Sequence, residues 1–167
     1  MFRTIADFEE RWKNNVGHTQ AIFGPLTDAS LSQQVAQDHR TLGRMAWHIA
    51  VSIPEMMART GLTFEGITGE SPMPEKAADI RKAYDEVALA LLDQVKKKWT
   101  DADLKVEDEM YGEKWERGFT LYVLLVHEVH HRGQMTVLMR QAGLMVPGIF
   151  GPSMEEWEKW GMKAPKV

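Results

Sequence analysis

The chain has 167 residues, 44% of them hydrophobic and 26% charged, the composition of one globular unit with its own core and not of a disordered tail. A net charge of −4 and an isoelectric point near 5.9 provide no basic footprint for a polyanion, which sets nucleic acid and anionic membrane surfaces aside as partners. With no cysteine there is no disulfide, thiol nucleophile or thiolate ligand, so any metal ion must be held by nitrogen and oxygen.

The opening segment meets charge at Arg3 and Asp7, too early for a secretory apolar region, and the longest apolar stretch, around Leu121 to Val126, is far too short to span a bilayer. A cytoplasmic protein is expected. Four long segments carry helical periodicity. No segment alternates cleanly, and Asn-Gly and Asp-Gly pairs are absent, so the class is all-α with no hairpin expected. The first helix should start near Thr4, with Thr4 and Asp7 as a capping pair, and stop at Gly24-Pro25. A second start is read at Ser30, with Gln33 three residues on, for a helix running through Met45, Ile49 and Met56 to Arg59 and Gly61. Pro54 lies inside it and predicts a kink just after residue 50. Residues 61–74, with Pro72 and Pro74, form an irregular connection to a third helix from about Pro74 to Lys98.

Residues 100–117 are acidic and read as a loop that could cover one end of the molecule, with Tyr111, Gly112 and Trp115 in it. The fourth helix is expected from about Phe119 to Arg140, apolar on nearly all sides and therefore central, ending at Gly143 with Pro147 beyond. Ser153 and Glu156 form an S-x-x-E capping box that opens a short amphipathic helix with Trp157 and Trp160. No linker or repeat divides the chain, so residues 1–167 are read as one four-helix bundle domain with a short C-terminal helix. Bundles build their sites from side chains on facing helices.

Three of the six histidines crowd into His127-Glu128-Val129-His130-His131. Positions i and i+4 lie about 40° apart on a helix, so His127 and His131 can present two imidazoles to one ion, while His130 lies off to the other side. A third ligand must come from elsewhere. His39 and His48 flank the apolar stripe of the second helix on opposite sides, so periodicity does not choose between them. Neighbourhood favours His48, enclosed by Met45-Ala46-Trp47 and Ile49-Ala50-Val51, over His39 in the polar Gln37-Asp38-His39-Arg40. His18 sits among polar residues and is placed outside the site.

The run His127 to Met135, followed by Gly143, Pro147, Gly151-Pro152-Ser153 and a tryptophan-bearing tail, resembles the DinB family of metal-binding four-helix bundles. Met45-Ala46-Trp47-His48-Ile49-Ala50 is similar to that family's second-helix motif. The resemblance implies that His48, His127 and His131 are a metal triad. It also implies a biochemical range that includes metal-dependent transferases and isomerases using bacterial low-molecular-weight thiols, and hydrolases. Three imidazoles leave a divalent ion with open positions, which suits zinc or nickel better than magnesium or calcium. The leading expectation is a metal-dependent enzyme of small-molecule or thiol-conjugation chemistry, the ion activating a thiol or water. A small-molecule substrate and a homodimer are the expected partners.

No general base stands out. Glu128 points about 100° from His127 and could contact a neighbouring helix or hydrogen-bond a ligand. Arg132 and Tyr111 could meet an acidic substrate, although an arginine on a helix is usually solvated. Gly133 in a helix interior suggests close approach of a helix or ligand. Two other readings compete. His127-Glu128-Val129-His130-His131 satisfies H-E-x-x-H, the zinc-protease helix with glutamate as base. The extended form of that motif fails, because positions 134 and 137 are Gln134 and Val137. Alternatively, the bundle is a non-catalytic ligand-binding or dimerisation module with a vacant or structural metal site, with Trp157 and Trp160 capping the core or forming an interface. Met45, Met56, Met135 and Met139 are expected to be ordinary core.

Overall fold

A computed structural model describes residues 1–166. Four α-helices form the bundle: α1 (Ile5–Phe23), α2 (Leu42–Ala58), α3 (Ala77–Lys98) and α4 (Arg117–Gln141). The fold is the expected all-α four-helix bundle, with α2 packed against both α3 and α4, and α1 against the same two helices. Thr4 caps α1 as anticipated, its hydroxyl accepting from the Asp7 N–H at 3.1 Å. The core is continuous from Phe8, Trp12 and Ile22 through Leu42, Ile49 and Ile53 to Tyr84, Leu91, Leu121 and Leu124. All four methionines assigned to it are buried. The buried indoles keep their N–H groups satisfied: Trp12 donates to the Ala88 carbonyl at 3.0 Å and Trp47 to that of Ser71 at 2.8 Å.

Several local expectations are corrected. The Ser30 start is a capping box of a five-residue 3-10 turn, Asp28–Ser32, and α2 begins only after Thr41, whose hydroxyl accepts from the Arg44 N–H. Residues 33–41 form a loop instead, closed at its neck by the Leu42 N–H donating to the Gln33 carbonyl at 2.7 Å. Gly43 allows this, because a Cβ there would sit 2.8 Å from that of Leu31. As expected, the helix is not broken at Pro54. It is also α2, and not α4, that is buried on most sides, since Tyr122 and Val126 of α4 are exposed.

The acidic segment is a 3-10 turn, Asp101–Lys105, followed by an antiparallel hairpin of β1 (Glu107–Met110) and β2 (Glu113–Glu116). Its two-residue turn, Tyr111-Gly112, has φ of 55° and 87°, the double left-handed geometry that hairpins favour. A tyrosine in the first of those positions is why the turn is not signalled by the usual residue pairs. At Ser153 half of the expected box forms, the Glu156 carboxylate accepting from the Ser153 N–H at 3.1 Å, and it opens a 3-10 segment, Met154–Trp160, none of whose residues is buried. Among the described residues no helix is long and apolar enough to cross a membrane.

Candidate metal centre

His48 projects from the middle of α2, while His127 and His131 project from adjacent turns of α4, and the packing of these two helices brings all three rings together. The Nε2 atom of His127 lies 3.2 Å from Nε2 of His48 and 3.1 Å from Nε2 of His131. The rings cross steeply, at 67°, 84° and 82°, with centroids 4.4 to 5.0 Å apart. One ligand atom from each residue lies within 4.8 Å of the other two, so the group could hold a metal ion. The two His127 separations are near what an ion needs: one bound tetrahedrally about 2.0–2.1 Å from imidazole nitrogens spaces them about 3.3–3.4 Å apart. Without a cation between them, three converging lone pairs would repel.

The rings are poised to present those lone pairs. Burial lowers the His48 imidazole to a pKa of about 4, and the positive charge of Arg40 adds to it. Burial and the neighbouring His131 lower His127 to about 4 as well, and burial lowers His131. His131 is oriented from behind. Its Nδ1 lies 2.7 Å from Oε1 of Gln134, and Nε2 of Gln134 lies 3.1 Å from Nε2 of His130. Donation from Nδ1–H to the amide oxygen leaves the His131 Nε2 lone pair facing the other two rings. Nδ1 of His127 is buried without a partner.

The remaining histidines lie apart from this cluster. His39 is exposed on the 33–41 loop, His18 packs edge-on against Phe150, and His130 is exposed beside His131. Gln134 enters the sequence reading within the family-like run and as a mismatch to the protease motif, but not as a partner of His131, although its i+3 spacing from that residue is a signal that could have found its role behind the ring.

Glu128 is turned away from the three rings. Fully buried between α1 and α3, its Oε2 accepts from Asn15 Nδ2 at 2.7 Å, the Thr19 hydroxyl at 2.9 Å and the Tyr84 hydroxyl at 3.0 Å. Burial pushes its carboxyl up to about 7. A base for water on an ion at His127 and His131 would have to face them, so the protease reading loses its glutamate. Arg132, expected to be solvated, is 3% exposed and donates to Asn15 Oδ1 at 2.8 Å and Thr19 Oγ1 at 2.6 Å. It is committed to this internal network and does not meet a substrate. Gly133 is exposed, and a Cβ built on it would meet nothing within 4 Å, so the close approach expected there is absent. Tyr111, at the hairpin tip, is bonded to Glu55 of α2.

A helical bundle with three histidines gathered from its second and fourth helices defines a class, and the comparisons place the chain within it. The DinB family model matches residues 1–163, and the chain belongs to the DinB family. It is 42% identical to the uncharacterized protein YrdA of Bacillus subtilis strain 168 over the full length of both chains. The crystal structure of a DinB-like protein from Bacillus cereus ATCC 10987 is similar with a TM-score of 0.86 and 45% identity, over 90% of this chain and all of that one. A second DinB-like crystal structure, that of YjoA from Bacillus subtilis, shares the fold at a TM-score of 0.67 with 15% identity, covering 86% of this chain and 97% of that one.

Proposed function

We propose that the protein is a metal-dependent enzyme acting on small molecules, a thiol-dependent S-transferase or isomerase or a hydrolase, with His48, His127 and His131 as the ligands of a zinc or nickel ion. The observation that carries this reading is the convergence of three Nε2 atoms from two helices at a separation that suits a single ion. When bound, the ion would act as a Lewis acid, lowering the pKa of a thiol or water at its open position.

The protein's own contribution is to hold the three rings uncharged near neutral pH, through burial, and to fix the outward face of His131 through Gln134. His48 and His127 are only partly buried, which leaves the cluster partly open to solvent. A low-molecular-weight thiol is the substrate class that family membership favours, and the homodimer belongs to the same proposal. Metal content measured by plasma mass spectrometry on untagged protein, purified without a nickel column, tests the reading. About one ion per chain, lost in His127→Ala, is expected. No ion in either protein, with none taken up on titration, overturns it and makes a binding module the better account.

A further inference from the structure

Beside the three histidines runs a groove of about 320 Å³, lined by Val35, His39 and Arg40 of the 33–41 loop, Met45 of α2, and Val137 and Leu138 of α4. Gln134, which bonds His131, also lines it, so groove and imidazoles share a wall. Its lining is mostly apolar and contains no carboxylate. Arg40 puts a positive charge into that lining, in a chain whose net charge is −4. Arg59, Arg117, Arg132 and Arg140 each have a carboxylate within 4.0 Å. Arg40 has none among the described residues, as is also true of Arg3, Arg11, Arg44 and Arg81, but of these only Arg40 lines the groove.

The backbone beneath Arg40 is ordered by its loop, while its side chain is exposed. The loop that carries it is pinned at its neck by the Leu42 to Gln33 hydrogen bond, and Asp38 takes a left-handed φ of 63° two residues before it. An uncompensated guanidinium lining an apolar trough suits a carboxylate. Its planar fork pairs two oxygens at once, and the trough offers apolar contact to the chain behind them.

We propose that this groove binds the carboxylate end of a small molecule, with Arg40 pairing the carboxylate and Val35, Met45, Val137 and Leu138 covering an aliphatic segment. That this molecule is the substrate rests on the metal-centre reading; the carboxylate groove itself does not.

The test is a two-dimensional NMR titration of metal-free and zinc-treated protein with hexanoate and with its neutral analogue hexanamide. Hexanoate is expected to shift the amides of residues 35–45 and 134–138 and to bind the metal-free protein about tenfold more tightly than hexanamide. Arg40→Gln should remove that preference, and Val137→Asp, which puts a like charge in the trough, should abolish hexanoate binding. Equal affinity for the two probes, shifts elsewhere, no binding by hexanoate at millimolar concentration, or a preference that survives Arg40→Gln overturns the proposal. A preference that depends on Arg40 in protein that takes up no zinc would leave the groove standing while removing the metal-centre reading.

Discussion

The Tyr111 hydroxyl donates to Oε2 of Glu55 at 2.5 Å, tying the tip of the hairpin to the same helix that carries His48. Arg59 completes the tie, bonded to the other Glu55 oxygen at 3.0 Å and lying over the Tyr111 ring at 4.6 Å. Burial and the hydrogen bond to Glu55 push the Tyr111 phenol up to about 12. Tyr111→Phe removes the bond while keeping the ring and its contact with Trp115. The site is largely exposed, so the loss should cost under about 1 kcal/mol in global stability. Hydrogen exchange should nevertheless quicken at residues 107–116, with little change in α1 and α3, because only the docking of the hairpin is loosened.

The three imidazoles predict a pH dependence of the metal-free protein. In the unfolded chain each histidine takes a proton near 6.5, whereas folded His48 and His127 resist protonation until about 4. The unfolded state therefore binds more protons between those values, and stability is full above 6.5 and declines as the pH falls toward 4. Urea unfolding at pH 7.0 and 4.5 measures this, and the drop should be smaller in His48→Gln than in the wild-type chain. Zinc should raise the unfolding temperature of the wild type near neutral pH and do so much less in His48→Gln, because an ion that binds only the folded state stabilises it by mass action.

The buried pair on α4 predicts the opposite sign. Glu128 has its carboxyl raised to about 7 by burial, so its share of stability is full below the ordinary value of 4.5 and is lost as the pH rises through about 7. Glu128→Gln keeps the shape and removes that ionisation. The variant should lose less stability than the wild type between pH 5 and pH 8, measured by urea unfolding without metal. Glu128→Ala is different in kind. It leaves the Asn15, Thr19 and Tyr84 groups and the Arg132 guanidinium facing a void, which should cost about 3–5 kcal/mol. Zinc uptake by folded Glu128→Gln should persist, since the carboxyl faces α1 and α3 and not the three rings.

How much of this was legible follows from what each residue's neighbours in sequence report. The i, i+4 spacing of His127 and His131 and the apolar surroundings of His48 point to the three rings without any fold in hand, because both are properties of a single helix. The hairpin is not legible. Its strands are short and mostly charged, and the double left-handed turn is made by Tyr111-Gly112, so neither alternation nor turn chemistry marks it. Arg132 misleads for a related reason. Its burial is set by Asn15 and Thr19 of α1, more than a hundred residues away in sequence, and no local pattern on α4 announces them. The start of α2 slips by a full loop because Ser30 and Thr41 both satisfy local capping chemistry, and only the packing of Gly43 on Leu31 decides which one opens a long helix.

Two glycines of α4 should respond in opposite directions to the same substitution. At Gly118 a Cβ would lie 2.3 Å from the Phe2 carbonyl oxygen, and the Phe2 N–H donates to the Gly118 carbonyl at 3.2 Å, so the N-terminal segment lies directly on this helix. Backbone cannot yield there as a flexible side chain would. Gly118→Ala should destabilise by about 1–3 kcal/mol and free the first residues, visible as faster hydrogen exchange at Phe2. At Gly133 a Cβ meets nothing within 4 Å, and the residue lies exposed within the helix. Gly133→Ala should stabilise by about 0.5–1 kcal/mol through helix propensity alone. If that variant lost stability instead, the open space around Gly133 would be occupied in solution, by substrate, by a partner chain or by a different packing of α4.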